Sequence, residues 1–165
     1  MAICGEKWIK VVPLRERKMF RGRYEHSVDG KGRVALPAAF RRHLTEGAQL
    51  VITTHLSAPC LVAYPEEAWA AFEAKVAALP QFDEGVMALR RLYVGSAMDC
   101  PVDRQGRLLL PQVLRAHARI EKEAFWVGGI QTMEIWGKET WSEVVEPQRA
   151  SVGPAVLQKL GELGL

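Results

Sequence analysis

The sequence predicts an α+β fold made of two copies of one small unit packed around a shared core. Three observations predict it. First, 165 residues with 48% hydrophobic and 25% charged side chains have a globular composition. Second, residues 29–43 (DGKGRVALPAAFRRH) return as residues 103–117 (DRQGRLLLPQVLRAH), identical at 7 of 15 positions at an offset of 74. Unrelated segments of that length share about one position. Third, each copy has about 60 residues, too few for a secure core of its own. The two copies are therefore expected to pack about a pseudo-two-fold axis, as a homodimer would if its genes had fused.

The repetition extends outward. Met19-Phe20-Arg21-Gly22 is echoed by Leu92-Tyr93-Val94-Gly95, and residues 61–69 by 133–141 at an offset of 72. In each copy an extended segment (23–28; 97–102) enters an Asp-x-x-Gly-Arg turn. The Asp carboxylate accepts from nearby backbone N–H groups, and Gly permits positive φ. Strand-like residues follow at 33–36 and 107–110. Pro37 and Pro111 end them and suit the first position of short helices reaching about Leu44 and Ala118. A second strand pair comes next, 49–53 with 61–64 and 124–128 with 133–136.

Pro65-Glu66-Glu67 starts a further helix, its acids well placed at the N-terminus. Its apolar stripe is Trp69, Phe72, Val76 and Leu79. Asp83 caps a second helix carrying Val86, Leu89 and Leu92, with residues 79–81 at the bend between them. In the second copy the matching helix starts near Lys138, carries Trp141 and Val144 or Val145, and ends at Pro147. The rest reads as a tail with a loose helical turn around 156–160. The expected division is an N-terminal extension at 1–18, a first repeat at 19–82, a second at 83–146 and a tail at 147–165.

Charge narrows the function. The chain's net +3 is uneven: residues 1–48 hold 11 Lys/Arg against 5 Asp/Glu, the remainder 11 against 14. A basic first third points to an anionic partner, with nucleic acid first. Half of that excess lies in residues 1–18, with five Lys/Arg against two Glu, so the argument rests on particular residues rather than on the sum. No uncharged run approaches the ~20 residues that span a bilayer, and the start lacks a secretory pattern. Cys4, Cys60 and Cys100 form no C-x-x-C pair, which fits a reducing cytoplasm.

The run Met19-Phe20-Arg21-Gly22 with His26, Asp29-Gly30-Lys31-Gly32-Arg33 and Leu36-Pro37 is followed by Asp103-Arg104-Gln105-Gly106-Arg107 and Leu110-Pro111. This ordered set closely resembles the MraZ family of bacterial transcriptional regulators. The phrase LRRLYVGSA at 89–97 and the Glu134-Ile135-Trp136 segment are similar too, so the resemblance spans 19 to about 145. It implies a tandem pair of AbrB-like (SpoVT-AbrB) swapped-hairpin β units forming one barrel with short flanking helices. It also implies ring-shaped homo-oligomers binding short direct repeats of double-stranded DNA in the family's own promoter region, at the head of the division and cell-wall gene cluster. Cytoplasmic, nucleoid-associated placement follows from that function. The family usually begins where Met19 stands, so residues 1–18 read as an upstream start or a basic extension.

Reading DNA needs cations on exposed turns held by a rigid sheet. Lys31 and Arg33 sit in the first turn, where Arg can grip guanine with two bonds and Lys can serve a phosphate or a guanine. Arg21 and Arg23 are expected to flank the same edge. In the second turn Gln105 stands where Lys31 does, which favours the first copy as the DNA face and assembly for the second. Arg33 and Arg107 have an alternative of equal standing, a structural pairing with Asp29 and Asp103. For Arg41 and Arg42 a helix-face salt bridge or subunit contact is expected. His43 and His117 read as partly exposed helix residues rather than metal ligands. Trp69, Trp136 and Trp141 fall at apolar phase positions and read as core.

No metal, cofactor, membrane or small-molecule partner is expected. An enzyme is the competing class, but no phosphate loop, HExxH or G-x-S-x-G is present. Adjacent Glu66 and Glu67 point apart on a helix and make a poor acid–base pair. The other alternative to a sequence-specific regulator is an oligomeric scaffold that binds any duplex weakly.

Overall fold

The two Asp-x-x-Gly-Arg turns organise the molecule, seen here in a computed structural model that describes residues 19–165; the 1–18 extension lies outside them. In the first copy β1 (Arg23–Ser27) leads through the turn into β2 (Arg33–Ala35) and α1 (Ala38–Arg41). Strands β3 (Gln49–Thr54) and β4 (Leu61–Pro65) follow. Two helices, α2 (Glu66–Ala77) and α3 (Glu84–Leu92), link the copies. The second copy repeats the pattern with β5 (Met98–Pro101), β6 (Arg107–Leu109), α4 (Gln112–His117), β7 (Glu123–Gly128) and β8 (Met133–Gly137).

The copies exchange strands. The main sheet is antiparallel in the order β1-β7-β8-β4-β3-β5, so each copy's first strand adds to the other copy's hairpin. The register shows the symmetry: Tyr24 faces Trp126 in one half and Ile52 faces Met98 in the other, related residues at the same offset of 74. Two points lie on the axis. Val34 pairs with Leu108 in the β2–β6 ribbon, and Val62 pairs with Glu134 between β4 and β8. The ribbon ties to both sheet edges, Asp29 N–H donating to Arg33 O at 2.9 Å and Asp103 N–H to Arg107 O at 2.7 Å. The pseudo-two-fold α+β packing is the one the repeat predicts, and the exchange of strands is the one the family resemblance implies.

One core runs through both copies, between the sheet and the ribbon. Phe20, Val34, Phe40, Leu50 and Ile52 pack with Leu108, Leu114, Trp126, Met133 and Ile135, all essentially buried. Phe20 and Tyr24 meet Phe40 edge-on with ring centroids 5.5 and 5.2 Å apart. Such contacts add about 0.5–1.5 kcal/mol to the area they bury. Lys138 reinforces the exchange, its Nζ lying 2.6 Å from Glu25 of β1 and 3.1 Å from Glu123 of β7.

The helical hairpin packs on the outer face of the sheet through Trp69, Phe72, Tyr64 and Tyr93 around Val51. Thr53 Oγ1 donates to Tyr93 O at 2.6 Å, and the Tyr64 and Tyr93 hydroxyls are 2.8 Å apart. Asp83 caps α3 as expected, accepting from Val86 N–H at 2.9 Å. The predicted stripes are longer than the contact: Leu79 and Leu92 remain 42% and 57% exposed because the aromatic cluster ends before them.

The C-terminal reading needs correction. Pro147 does not end the helical run that starts with α5 (Lys138–Thr140) and continues through a π turn at Trp141–Val145. It sits in the first turn of α6 (Glu146–Glu162), directly after the π turn. The expected tail is thus a helix of 17 residues, with Pro154 inside it and no buried side chain.

Candidate nucleic-acid interface

Each turn is built by its Asp. The Asp29 carboxylate accepts from the backbone N–H groups of Lys31 and Arg33, both at 2.9 Å, and Gly32 takes φ of +86°. Asp103 does the same for Gln105 and Arg107, with Gly106 at φ +75°. These bonds hold the Asp29 carboxyl down at about 2, the Arg33 backbone N–H being the main cause and the Arg33 side chain a further one. Asp103 is lowered likewise, chiefly by the Arg107 N–H. Both turns are therefore locked at neutral pH.

The carboxylates also hold the repeated arginines. Arg33 Nε donates to Asp29 Oδ2 at 2.7 Å, while Arg107 gives Nε and Nη2 to Asp103 Oδ2, each at 3.1 Å. The structural pairing considered for these residues is present. It aims them rather than hiding them, because the side chains stay 35% and 32% exposed.

The ribbon sets the direction. Val34 and Leu108 point into the core, so Arg33 and Ala35 of one strand and Arg107 and Leu109 of the other take the outer face. Arg33 stands opposite Leu109 and diagonal to Arg107, about 7–8 Å away across the axis. The turns interlock there, Leu36 N–H donating to Gly106 O at 2.8 Å and Leu110 N–H to Gly32 O at 2.9 Å. Both copies thus present their turns on one surface. Lys31 is exposed at its rim, and Arg104 is exposed in the second turn.

Sequence reasoning missed three contributors. Arg115 of α4 lies over the first copy's turn: a Cβ placed on Gly32 would come within 2.8 Å of its guanidinium carbon. Its Nε donates to Leu110 O at 3.0 Å. Arg41 of α1 lies over Gly106 in the same way. The signal was legible, since Arg41 and Arg115 are among the identical positions of the repeat, but their reach across the axis needs the fold. Arg104 is the third, one position before the place where Gln105 replaces Lys31.

Arg21 and Arg23 do not join this surface. Arg21 precedes β1 and Arg23 opens it, at the end away from the turn, and the strand's rise of about 13 Å lies between. Arg23 is engaged elsewhere, its guanidinium carbon 5.0 Å from the ring centroids of both Phe125 and Trp141. Trp69 and Trp136 are each 5% exposed and pack as expected. His43 sets its ring edge-on to Phe20 at 6.0 Å.

The chemistry of the remaining groups is quiet. Burial pushes the Cys100 thiol up to about 11 and raises Cys60 as well, so neither is a ready nucleophile. Among the described residues no group of three or more His, Cys, Asp or Glu could hold a metal ion. Among them also, no helix is long and apolar enough to cross a membrane.

A family model described as MraZ protein matches residues 19–91 and 94–155, one stretch for each copy. The chain is 43% identical over 125 residues to the transcriptional regulator MraZ of Thermoanaerobacter sp., covering 76% of this chain and 85% of that protein. It is 40% identical over 147 residues to the regulator of the same name from Caldicellulosiruptor saccharolyticus, covering 89% and 100%. The Shewanella loihica regulator of that name is 40% identical over 136 residues, covering 81% and 90%.

Proposed function

The chain belongs to the MraZ family, and on that footing we propose that it is a sequence-specific DNA-binding regulator. Its relatives carry a regulator's name rather than an enzyme's. One observation carries the proposal: a two-stranded ribbon, rigid beneath and basic above, presents Arg33 and Arg107 outward from two interlocked turns. A β-ribbon fits the major groove of duplex DNA. Arg33 faces the base edges, where guanine offers it two acceptors, and Lys31 at the rim takes a phosphate or a guanine.

The proposed target is the direct repeats upstream of the chain's own gene, within a division and cell-wall cluster. A ring-shaped homo-oligomer gives several ribbons to several repeats. Linked weak contacts then bind far more tightly when spacings match. Nucleoid association follows from such binding.

A second reading, an oligomeric scaffold, is favoured by α6. Its Val152, Val156 and Leu160 form a row at helical spacing, 44%, 51% and 38% exposed. The two readings separate in a competition between the upstream duplex and a scrambled one of equal length. The regulator prefers the first and weakens steeply as salt rises, because phosphate contacts release counterions; the scaffold binds both equally.

A further inference from the structure

The two halves of the ribbon surface are not equivalent: besides Lys31, which Gln105 replaces in the second turn, two unmatched cations meet in one cleft. The cleft, of about 660 Å³, lies between the loop that follows α1 and the second turn. Arg41, Arg42 and Arg104 line it, together with Glu46, Asp103 and the apolar Leu44. Asp103 is already held by Arg107. Arg41 has a counterpart in Arg115, and both lie over the opposite turn, so their shared place in the fold accounts for them. Arg42 and Arg104 have none: at the same offset of 74 stand Ala116 and Gly30. No fold role common to the copies explains these two cations. Both are exposed, and neither makes an ion pair among the described residues.

We infer that this cleft is a phosphate clamp, a contact for the DNA backbone on one flank of the ribbon only. The inference rests on the ribbon being the DNA face. Guanidinium groups match phosphate geometry with paired N–H donors. Asp103, Arg104 and Gly106 form one wall of the cleft and belong to the turn that carries Arg107. A strand lying across the ribbon therefore passes its mouth. A pseudo-symmetric ribbon alone has little to tell the two directions of a duplex apart. A clamp on one side does, and it orients every copy alike on repeats that point one way.

The test is ethylation interference on the duplex from upstream of the chain's own gene, with a salt titration alongside. In the wild type, phosphates on the flank beside the cleft are the more sensitive, beyond any single contact that Lys31 makes on the other flank. In Arg42→Ala/Arg104→Ala that sensitivity disappears, and the salt slope falls by about 1.8, for two phosphate contacts at 0.9 each. Between about 50 and 200 mM salt the wild type then loses about 12-fold more affinity than the variant. Adding Gly30→Arg/Ala116→Arg to that variant moves the sensitive phosphates to the other flank. Gly30 accepts the change sterically, since nothing lies within 4 Å of a Cβ there, and Ala116 is exposed. Equal interference on both flanks in the wild type overturns the clamp, as does an unchanged slope in the double variant. Arg33→Ala separates the two levels: loss of duplex preference there beside an unaffected Arg42→Ala/Arg104→Ala removes the clamp and leaves the face. Failure of the wild type to prefer the duplex removes both.

Discussion

Replacing Gly32 by Ala perturbs the first turn by a single methyl group, and its cost can be worked from the geometry. Gly32 holds φ at +86°, a left-handed conformation that costs a residue with a Cβ about 1–2 kcal/mol. The new methyl would also lie 2.8 Å from Arg115 Cζ and Nε, so the Arg115 side chain has to move. That breaks its 3.0 Å bond to Leu110 O, worth about 0.5–1.5 kcal/mol net. The total is about 1.5–3.5 kcal/mol, read as a lower urea midpoint at unchanged slope. In an Arg115→Ala background the methyl has room and only the backbone strain remains, about 1–2 kcal/mol. Because Lys31 and Arg33 flank the glycine, DNA preference falls with it. Equal cost in both backgrounds would refute the packing of Arg115 on the opposite turn. A cost below about 0.5 kcal/mol would refute the left-handed turn itself.

Three other outcomes follow from the same geometry. Arg23→Ala removes the contact with Phe125 and Trp141 and lowers stability by about 0.5–1 kcal/mol, yet leaves preference for the upstream duplex intact in competition binding. Asp29 and Asp103 have carboxyls lowered in the folded state, so their stabilisation is full above the ordinary carboxylate range and drains away as pH falls below about 4, for Asp29 as pH passes about 2. Urea midpoints against pH show that loss, and Asp29→Asn/Asp103→Asn flattens it. Ending the chain after Val152 removes most of α6, none of whose own residues is buried, and leaves the unfolding free energy from urea titration within about 0.5 kcal/mol of the full chain.

The sequence carried the duplication, the turns and the strand-to-helix order because each has a local signature: Asp and Gly at fixed positions, alternation at 33–36, proline after each strand. Repeat and alternation alone could not carry the exchange of β1 and β5 between copies, which only the family resemblance implied. Pairing Tyr24 with Trp126 or with its own hairpin satisfies the same alternating pattern, and only closure of the common core decides between them. The site divided in the same way. Lys31 and Arg33 were legible because their turn fixes them locally. Arg23 was misplaced because a strand's length, rather than its nearness in sequence, sets which end it serves. Arg41 and Arg115 needed the axis before their target was visible. In α6 the misleading residue was Pro147, which is as compatible with a helix's first turn as with its end.

The most direct test of the DNA face is equilibrium competition between the upstream repeats and a scrambled duplex, run on the wild type and on Arg33→Ala at equal salt. Circular dichroism and oligomer size are checked in both. The wild type should favour the repeats, and Arg33→Ala should lose about 1–3 kcal/mol of that discrimination while keeping its fold and assembly. Full discrimination by Arg33→Ala, or none by the wild type, would contradict the account.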